Sequence, residues 1–368
     1  MNPLYVVLMG IIMFWVVLSE ANKRYNLSKY GIDFQGIILL WRTMKFNDFI
    51  DNVSRKGKKF WEAYSIIGIG AAVLGMITVF YFLFSNAIKV LISPEPAPGV
   101  GFVIPGVTVP FWYSLIGLIV VLLVHEGSHG IIARANNISL KSVGLALFIA
   151  IPGAFVEPDE EELKTTSRLT RLKVYAAGSM GNFVTALIAF VLIVGLINPL
   201  LTPSGIKIIS IEDSSSVFGV LSEGNIITEI NGIKIETLQN FYDIMQNTKP
   251  GDQLNIITDK GTFNVALNDH PREPGKGYIG IVTSQNYTSR ISMKAITPIS
   301  GVLFWIFFLN FNIGLINLFP LPFLFDGGKI FKEIVDTKFS EANSNAIQKI
   351  FAVIGILLFA INILPSIL

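Results

Sequence analysis

Apolar runs long enough to cross about 30 Å of hydrocarbon, roughly 20 residues each, recur near residues 3–19, 61–92, 111–134, 172–198, 296–319 and 347–367. They leave the chain few folds, because a backbone in lipid must satisfy its own N–H and C=O groups, and separate runs do so as helices. The reading is an α-helical polytopic membrane protein with about six transmembrane helices. Composition agrees, with 52% of the 368 residues hydrophobic and 15% charged, against about a quarter charged in soluble domains. The net charge of +2 provides no overall field for nucleic acid as a partner. The first run has no basic residue before it and no small-x-small site after it, which marks a retained helix rather than a cleaved leader.

Basic residues orient the runs. Lys23, Arg24, Lys29, Arg42, Lys45, Arg55, Lys56, Lys58 and Lys59 fill the first connection, whereas the Pro-rich second one, Ser93 to Pro110, has no Lys or Arg. The positive-inside rule therefore puts the first connection in the cytoplasm and the N-terminus outside. Arg134, Lys141, Lys164, Arg168, Arg171 and Lys173 mark the third connection as internal, and Lys329, Lys332 and Lys338 the fifth.

Two segments between these runs have their own character. Val143 to Pro158 is apolar but too short to cross, and its Pro152-Gly153 centre predicts a hairpin dipping into the membrane from the cytoplasm. The acidic stretch Asp159 to Glu162 behind it reads as a solvated face. The fourth connection, about 201–290, reads as a small α+β domain, external by parity. Ile206 to Ile211 and Ile226 to Ile230 are strand-like, Asn231-Gly232 is a hairpin turn, and Gln253 to Thr258 and Thr262 to Leu267 are further strands. Thr237 is placed to cap a helix that turns Leu238, Phe241, Ile244 and Met245 inward. The expected division is residues 1–200 and 291–368 in the membrane and 201–290 outside it.

His125, Glu126 and His129 form H-E-x-x-H at the end of the third apolar run, where each ionisable group costs a few kcal/mol or more to insert. On a helix the two imidazoles project from one face, one turn apart, with the bite of a Zn²⁺ site, and Glu126 is left free to act on water. At 1.5 Å per residue His125 lies about 21 Å along its helix, within ~10 Å of the cytoplasmic boundary. The chain has no cysteine and three histidines. The remaining one, His270, is in the external domain at the wrong depth and reads as structural. A third ligand is therefore expected to be a carboxylate near the cytoplasmic end of another run, and Asn317 to Gly328 supplies Asp326 after Pro320 and Pro322 have broken the helix. A helix cap is the other role open to Asp326. A metal or proton transporter would use the same His, Glu and Asp, but it predicts internal repeats that this sequence lacks. An inert scaffold would not need Glu126.

With H-E-x-x-H in one run, N-x-x-P-x-P-x-x-x-D-G in a later one and an external domain between them, the chain resembles the site-2 protease family of intramembrane zinc metalloproteases, from about residue 111 to 330. The resemblance implies a PDZ-like domain at 201–290, with His125, His129 and Asp326 as zinc ligands and Glu126 as general base. It matches Gly178 to Asn182 to the family's G-x-x-x-N element, whose Asn182 helps hold substrate or transition state. It matches Asn317 to a substrate-contacting Asn, and Gly153 to Val156, with Gly153, Ala154 and Phe155 as substrate-binding residues, to an edge strand in a re-entrant β-hairpin on which unwound substrate pairs. Interhelical packing and hydrogen bonding are the alternative roles for Gly178, Asn182 and Asn317. Phe325 stands where the family usually has Leu, and Ser222 to Asn225 reads SEGN where Gly-Asp is common. The implied activity is hydrolysis of a peptide bond in or near the transmembrane segment of a single-pass membrane protein already trimmed outside, in a prokaryotic cell membrane.

Overall fold

The computed structural model describes residues 3–35, 38–43, 47–93, 98–101, 103–148, 151–322 and 324–366. It separates into two compact units, Met1–Phe190 with Gly301–Leu368, and Val191–Ser300.

The first unit begins with helix α1 (Pro3–Tyr25), strands β1 (Ile32–Gln35) and β2 (Ile38–Thr43), and helices α2 (Asn47–Arg55), α3 (Lys58–Ile92) and α4 (Phe111–Ala135). Strands β3 (Leu140–Phe148) and β4 (Ile151–Pro158) follow, then α5 (Glu160–Thr165) and α6 (Arg168–Leu192). Strands β1 to β4 form one antiparallel sheet in chain order. The expected hairpin is present, but its centre is not Pro152-Gly153. Those residues lie inside β4, paired with Leu147 and Ala146, and the strands join through residues 149–150, which lie outside the described residues. Proline is compatible with an outer strand when its nitrogen faces away from the ladder, so it marked an edge here and not a turn. Strands β1 and β2 were not expected, since the basic connection that holds them read only as loop. The acidic run is a helix start, with the Asp159 carboxylate accepting from Glu161 N and Glu162 N at 2.9 and 3.1 Å.

The second unit holds β5 (Leu201–Ile211), β6 (Ile226–Ile230), β7 (Ile233–Lys234), α7 (Leu238–Met245), β8 (Gln253–Thr258), β9 (Gly261–Ala266), β10 (Asn268–Asp269), β11 (Gly277–Tyr278) and β12 (Ile281–Ser289). Its main sheet has the order β12-β5-β6-β8-β9, with β7 on β6. Asn231 and Gly232 take φ of 51° and 80°, the left-handed pair that a tight hairpin requires. Thr237 and Asn240 form a reciprocal capping box on α7. Ile206, Ile208, Ile227, Ile230, Leu254 and Ile256 are buried in the core, and Phe241 packs onto them from α7.

The chain re-enters the first unit along α8 (Met293–Ile316) and ends with α9 (Asp326–Val335) and α10 (Glu341–Ile363). Five helical stretches among the described residues are long and apolar enough to cross a membrane: Lys58–Ile92, Phe111–Ala135, Arg168–Leu200, Met293–Ile316 and Glu341–Ser366. The sixth expected run, 3–19, lies in the 23-residue α1, part of whose side chains fall outside the described set. Between 17% and 33% of each span's apolar window is buried by protein, so the remaining surface needs lipid. Ion pairs tie the helices at one end. Arg171 grips Glu333 of α9 through two bonds of 2.6 and 2.8 Å, and Arg134 of α4 grips Asp51 of α2.

Candidate metal centre

Helix α4 carries His125 and His129 on one face, because residues four apart stack along a helix. Pro320 and Pro322 cannot continue a helix, and α8 stops at Ile316. The chain crosses the gap to start α9 at Asp326, whose carboxylate sits in the first turn, where the helix dipole favours a negative charge. Gly327 permits this, since a Cβ there would collide with the Leu318 carbonyl, and its N–H donates to Asn317 O at 2.8 Å.

Asp326 Oδ2 lies 3.1 Å from His125 Nε2 and 3.0 Å from His129 Nε2, and the two nitrogens are 3.2 Å apart. His125 and Asp326 are each 8% exposed. Among the described residues these three are the group whose donors could hold a metal ion. The hydrogen bonds around them fit that use. His129 Nδ1–H donates to the Val174 carbonyl at 2.7 Å, which leaves the Nε2 lone pair turned inward. Three mutually facing acceptors repel one another unless a cation stands between them, and tetrahedral donors 2.0–2.1 Å from zinc are about 3.3 Å apart, close to the spacing here. Two imidazoles with one carboxylate are also a donor set that zinc accepts. Lys329 Nζ lies 3.2 Å from Asp326 Oδ1, engaging the carboxylate oxygen that the imidazoles do not face.

Asn182 is fully buried and its side-chain nitrogen is 3.1 Å from His125 Nδ1. Its Oδ1 has no partner. With His125 Nε2 turned to the cluster, Nδ1 carries the proton, and rotating the Asn182 amide by half a turn presents Oδ1 as the acceptor it needs. Asn182 thus meets an imidazole from behind, and it is not among the residues that line the cavity. Gly178, one turn earlier, lies directly under both rings, and a Cβ there would collide with them. The small-residue pattern of α6 signals close packing, but that the rings of α4 occupy the space is visible only in three dimensions.

The cluster opens on a cavity of about 670 Å³, lined also by Glu126, Phe155, Val156, Asn317 and Lys329. Glu126 is not part of the three-donor group, and its Oε2 accepts from Val156 N–H of β4 at 3.0 Å. Gly153 and Ala154 line an adjoining apolar groove of about 440 Å³ with Trp41 of β2 and Leu123 of α4. Phe155 and Asn317 face the cavity itself. His270, in the second unit, accepts from the N–H groups of Arg272 and Glu273 at 3.2 and 3.1 Å and packs on Tyr278. Sequence reasoning missed Val174, Lys329 and the contact of the Val156 amide with Glu126. Val174 and Val156 act here through backbone atoms, which leave no side-chain signature.

Residues 113–362 match the model of peptidase family M50. The chain belongs to that family. It is 30% identical over 328 residues to an uncharacterized protein of Methanocaldococcus jannaschii, covering 87% of this chain and 83% of that one. It is 24% identical over 253 residues to an Arabidopsis thaliana membrane-bound transcription factor site-2 protease homolog, covering 64% of this chain and 47% of the plant protein. The PDZ domain of an SdrC-like protein from Listeria monocytogenes aligns at 28% identity and a TM-score of 0.21, over 22% of this chain and 87% of that domain. As an M50 peptidase, the chain carries its H-E-x-x-H and its Asp-Gly motif within the matched region, and both contribute to the cluster.

Proposed function

We propose that this M50 peptidase is an intramembrane zinc metallopeptidase that hydrolyses a peptide bond within or near the transmembrane segment of a single-pass membrane protein. The observation that carries the reading is the meeting of His125 and His129, on an apolar span, with Asp326 at the start of α9, and with Glu126 beside them in one cavity. Buried ionisable groups in such spans are costly and mark function. A zinc ion held by the two Nε2 atoms and Asp326 Oδ2 would supply Lewis acidity toward a carbonyl and make water a nucleophile near neutral pH.

The chain's own groups do the rest. Val174 and Asn182 hold the imidazoles in the orientation that exposes Nε2. Glu126 takes a proton from the attacking water and delivers it to the leaving amine. A helical substrate hides its peptide bonds in i to i−4 hydrogen bonds and must unwind before attack, so Gly, Pro or Asn near the cut favours cleavage. The unwound segment pairs on β4 at Gly153, Ala154 and Phe155, and Asn317 contacts it from the other side of the cavity. The α+β unit is read as an external PDZ-like filter that admits substrates already trimmed, with the peptidase centre near the cytoplasmic face of a prokaryotic membrane.

Glu126→Gln tests the core of this. Cleavage of a model transmembrane substrate should fall by about 10²–10⁴-fold, while zinc measured on the same sample stays at the wild-type level. Undiminished turnover refutes the assignment of the base.

A further inference from the structure

Strand β4 pairs with β3 along one edge, and among the described residues no strand pairs with the other. Val156 N–H points off that free edge, toward Glu126. The groups of an antiparallel strand face alternate sides with a period of two, so Pro152, Ala154 and Pro158 present their backbone to the same free edge. A prolyl nitrogen carries no hydrogen. Of these four residues, Ala154 and Val156 alone can donate, and Val156 is already engaged by the base. The prolines cost the β3 ladder nothing, since their nitrogens face away from it.

We infer that Pro152 and Pro158 confine a substrate strand on β4 to a single register anchored on Ala154, and so select which bond is cut. This rests on the protease reading, and the occupant is the unwound stretch of the substrate's transmembrane segment. The edge runs into the cavity that holds the cluster, which Phe155, Val156, Glu157 and Pro158 line together with His125, Glu126 and Asp326. A strand slipped by two residues keeps its side chains on the same faces. Because the residues flanking a short unwound stretch keep their carbonyls in helical hydrogen bonds, such a slip sets the one carbonyl that Ala154 had served opposite a proline nitrogen and brings no other carbonyl to Ala154. A slip by one residue turns the strand's own donors away from the edge altogether. Sequence-tolerant backbone pairing thereby acquires a fixed frame relative to Glu126.

The test uses the zinc-loaded full chain in nanodiscs with a synthetic transmembrane peptide, products being mapped by mass spectrometry. Wild type should cut one bond. Pro158→Ala and Pro152→Ala each add an outward donor and should yield additional products displaced by two residues from the original. Ala154→Pro removes the free donor at a position of the same kind as the two natural prolines, so the sheet should tolerate it. It should lower cleavage about tenfold with zinc content unchanged. The inference is overturned by an unchanged product set in both proline variants, by displacements of odd length, or by full cleavage at the original bond in folded Ala154→Pro. A wild-type chain that binds zinc and cuts no transmembrane peptide refutes the protease reading instead.

Discussion

The two units differ in what they bury beside their apolar side chains. In Val191–Ser300 the interior is aliphatic, built from Ile206, Ile208, Ile227, Ile230, Leu254 and Ile256 at 2% exposure or less. In the other unit Ser114, Ser179, Asn182, Asn310 and Asn362 are fully buried, while Ile67, Leu74, Tyr81, Ile92, Trp112 and Leu187 are exposed. The first pattern belongs to a domain that folds by removing apolar surface from water. The second belongs to one whose apolar surface faces lipid, where helices associate through small residues and polar contacts. Asn362 illustrates it, donating to Leu83 O at 2.9 Å and accepting from Asn86 Nδ2 at 2.9 Å between α10 and α3. Polar side chains within the interior are what allow a cluster of ionisable groups to exist there, because the cluster can be hydrogen-bonded and oriented. The same groups placed in the aliphatic core of the other unit would have no partners.

Substitutions in each unit can break or sharpen that contrast. The largest effect is expected from Asp326→Ala, which removes one of the three proposed ligands and should abolish stoichiometric zinc binding. Full zinc retention by the folded variant, measured by metal analysis, would dissolve the three-donor assignment. Next comes Ile230→Ala in the aliphatic core, which should destabilise that unit by about 2–5 kcal/mol. Thermal unfolding followed by hydrogen exchange should localise the loss there with zinc content unaltered, and a fall in zinc would erase the distinction between the units. Gly178→Ala follows, since its methyl must displace the His125 and His129 rings. Zinc affinity should drop by about 10–100-fold, the range typical of disturbed outer contacts, and wild-type affinity would mean that the rings have room to spare.

The smallest effect concerns a charge pair that joins α2 to the last turn of α4. The hydrogen bond from Arg134 holds the Asp51 carboxyl below its ordinary range, outweighing the opposing effect of burial. A carboxylate whose pKa is depressed on folding contributes stability above its unfolded value, near 3.9, and loses it as the pH falls through the folded value. Asp51→Asn should therefore cost about 0.5–1 kcal/mol at pH 7 and progressively less in acid. A difference in melting temperature that stays constant from pH 7 to pH 3 would show that the pair does not clamp α2 to α4 through charge.

How much was legible in the sequence followed the range of the interaction. Asn231-Gly232, the Thr237 cap and the alternating strands at 226–230 and 253–258 are set by neighbours a few residues away, and each element forms where the pattern places it. The hairpin at 140–158 was legible as a short apolar interruption, but its turn was not, because Pro152 reads equally as a turn residue and as an edge-strand residue. Strand β2 was invisible, since its pairing with β3 links Trp41 to Leu145 and Arg42 to Gly144 across three intervening helices, and β1 is held in the sheet only through β2.

The sequence by itself determined that separate runs must be helices in lipid and that His125 and His129 must share a helix face, because backbone satisfaction and a 3.6-residue period are local rules. It also carried enough of the family pattern to point to Asp326. Only the tertiary structure decided that Asp326 Oδ2 comes within 3.0 Å of a ring 197 positions earlier in the chain. It alone set Gly178 beneath both imidazoles, Asn182 behind one of them, and the Val156 amide on Glu126. Those placements depend on how helices α4, α6 and α9 and strand β4 pack, through backbone atoms and close approaches that no spacing of side-chain types encodes.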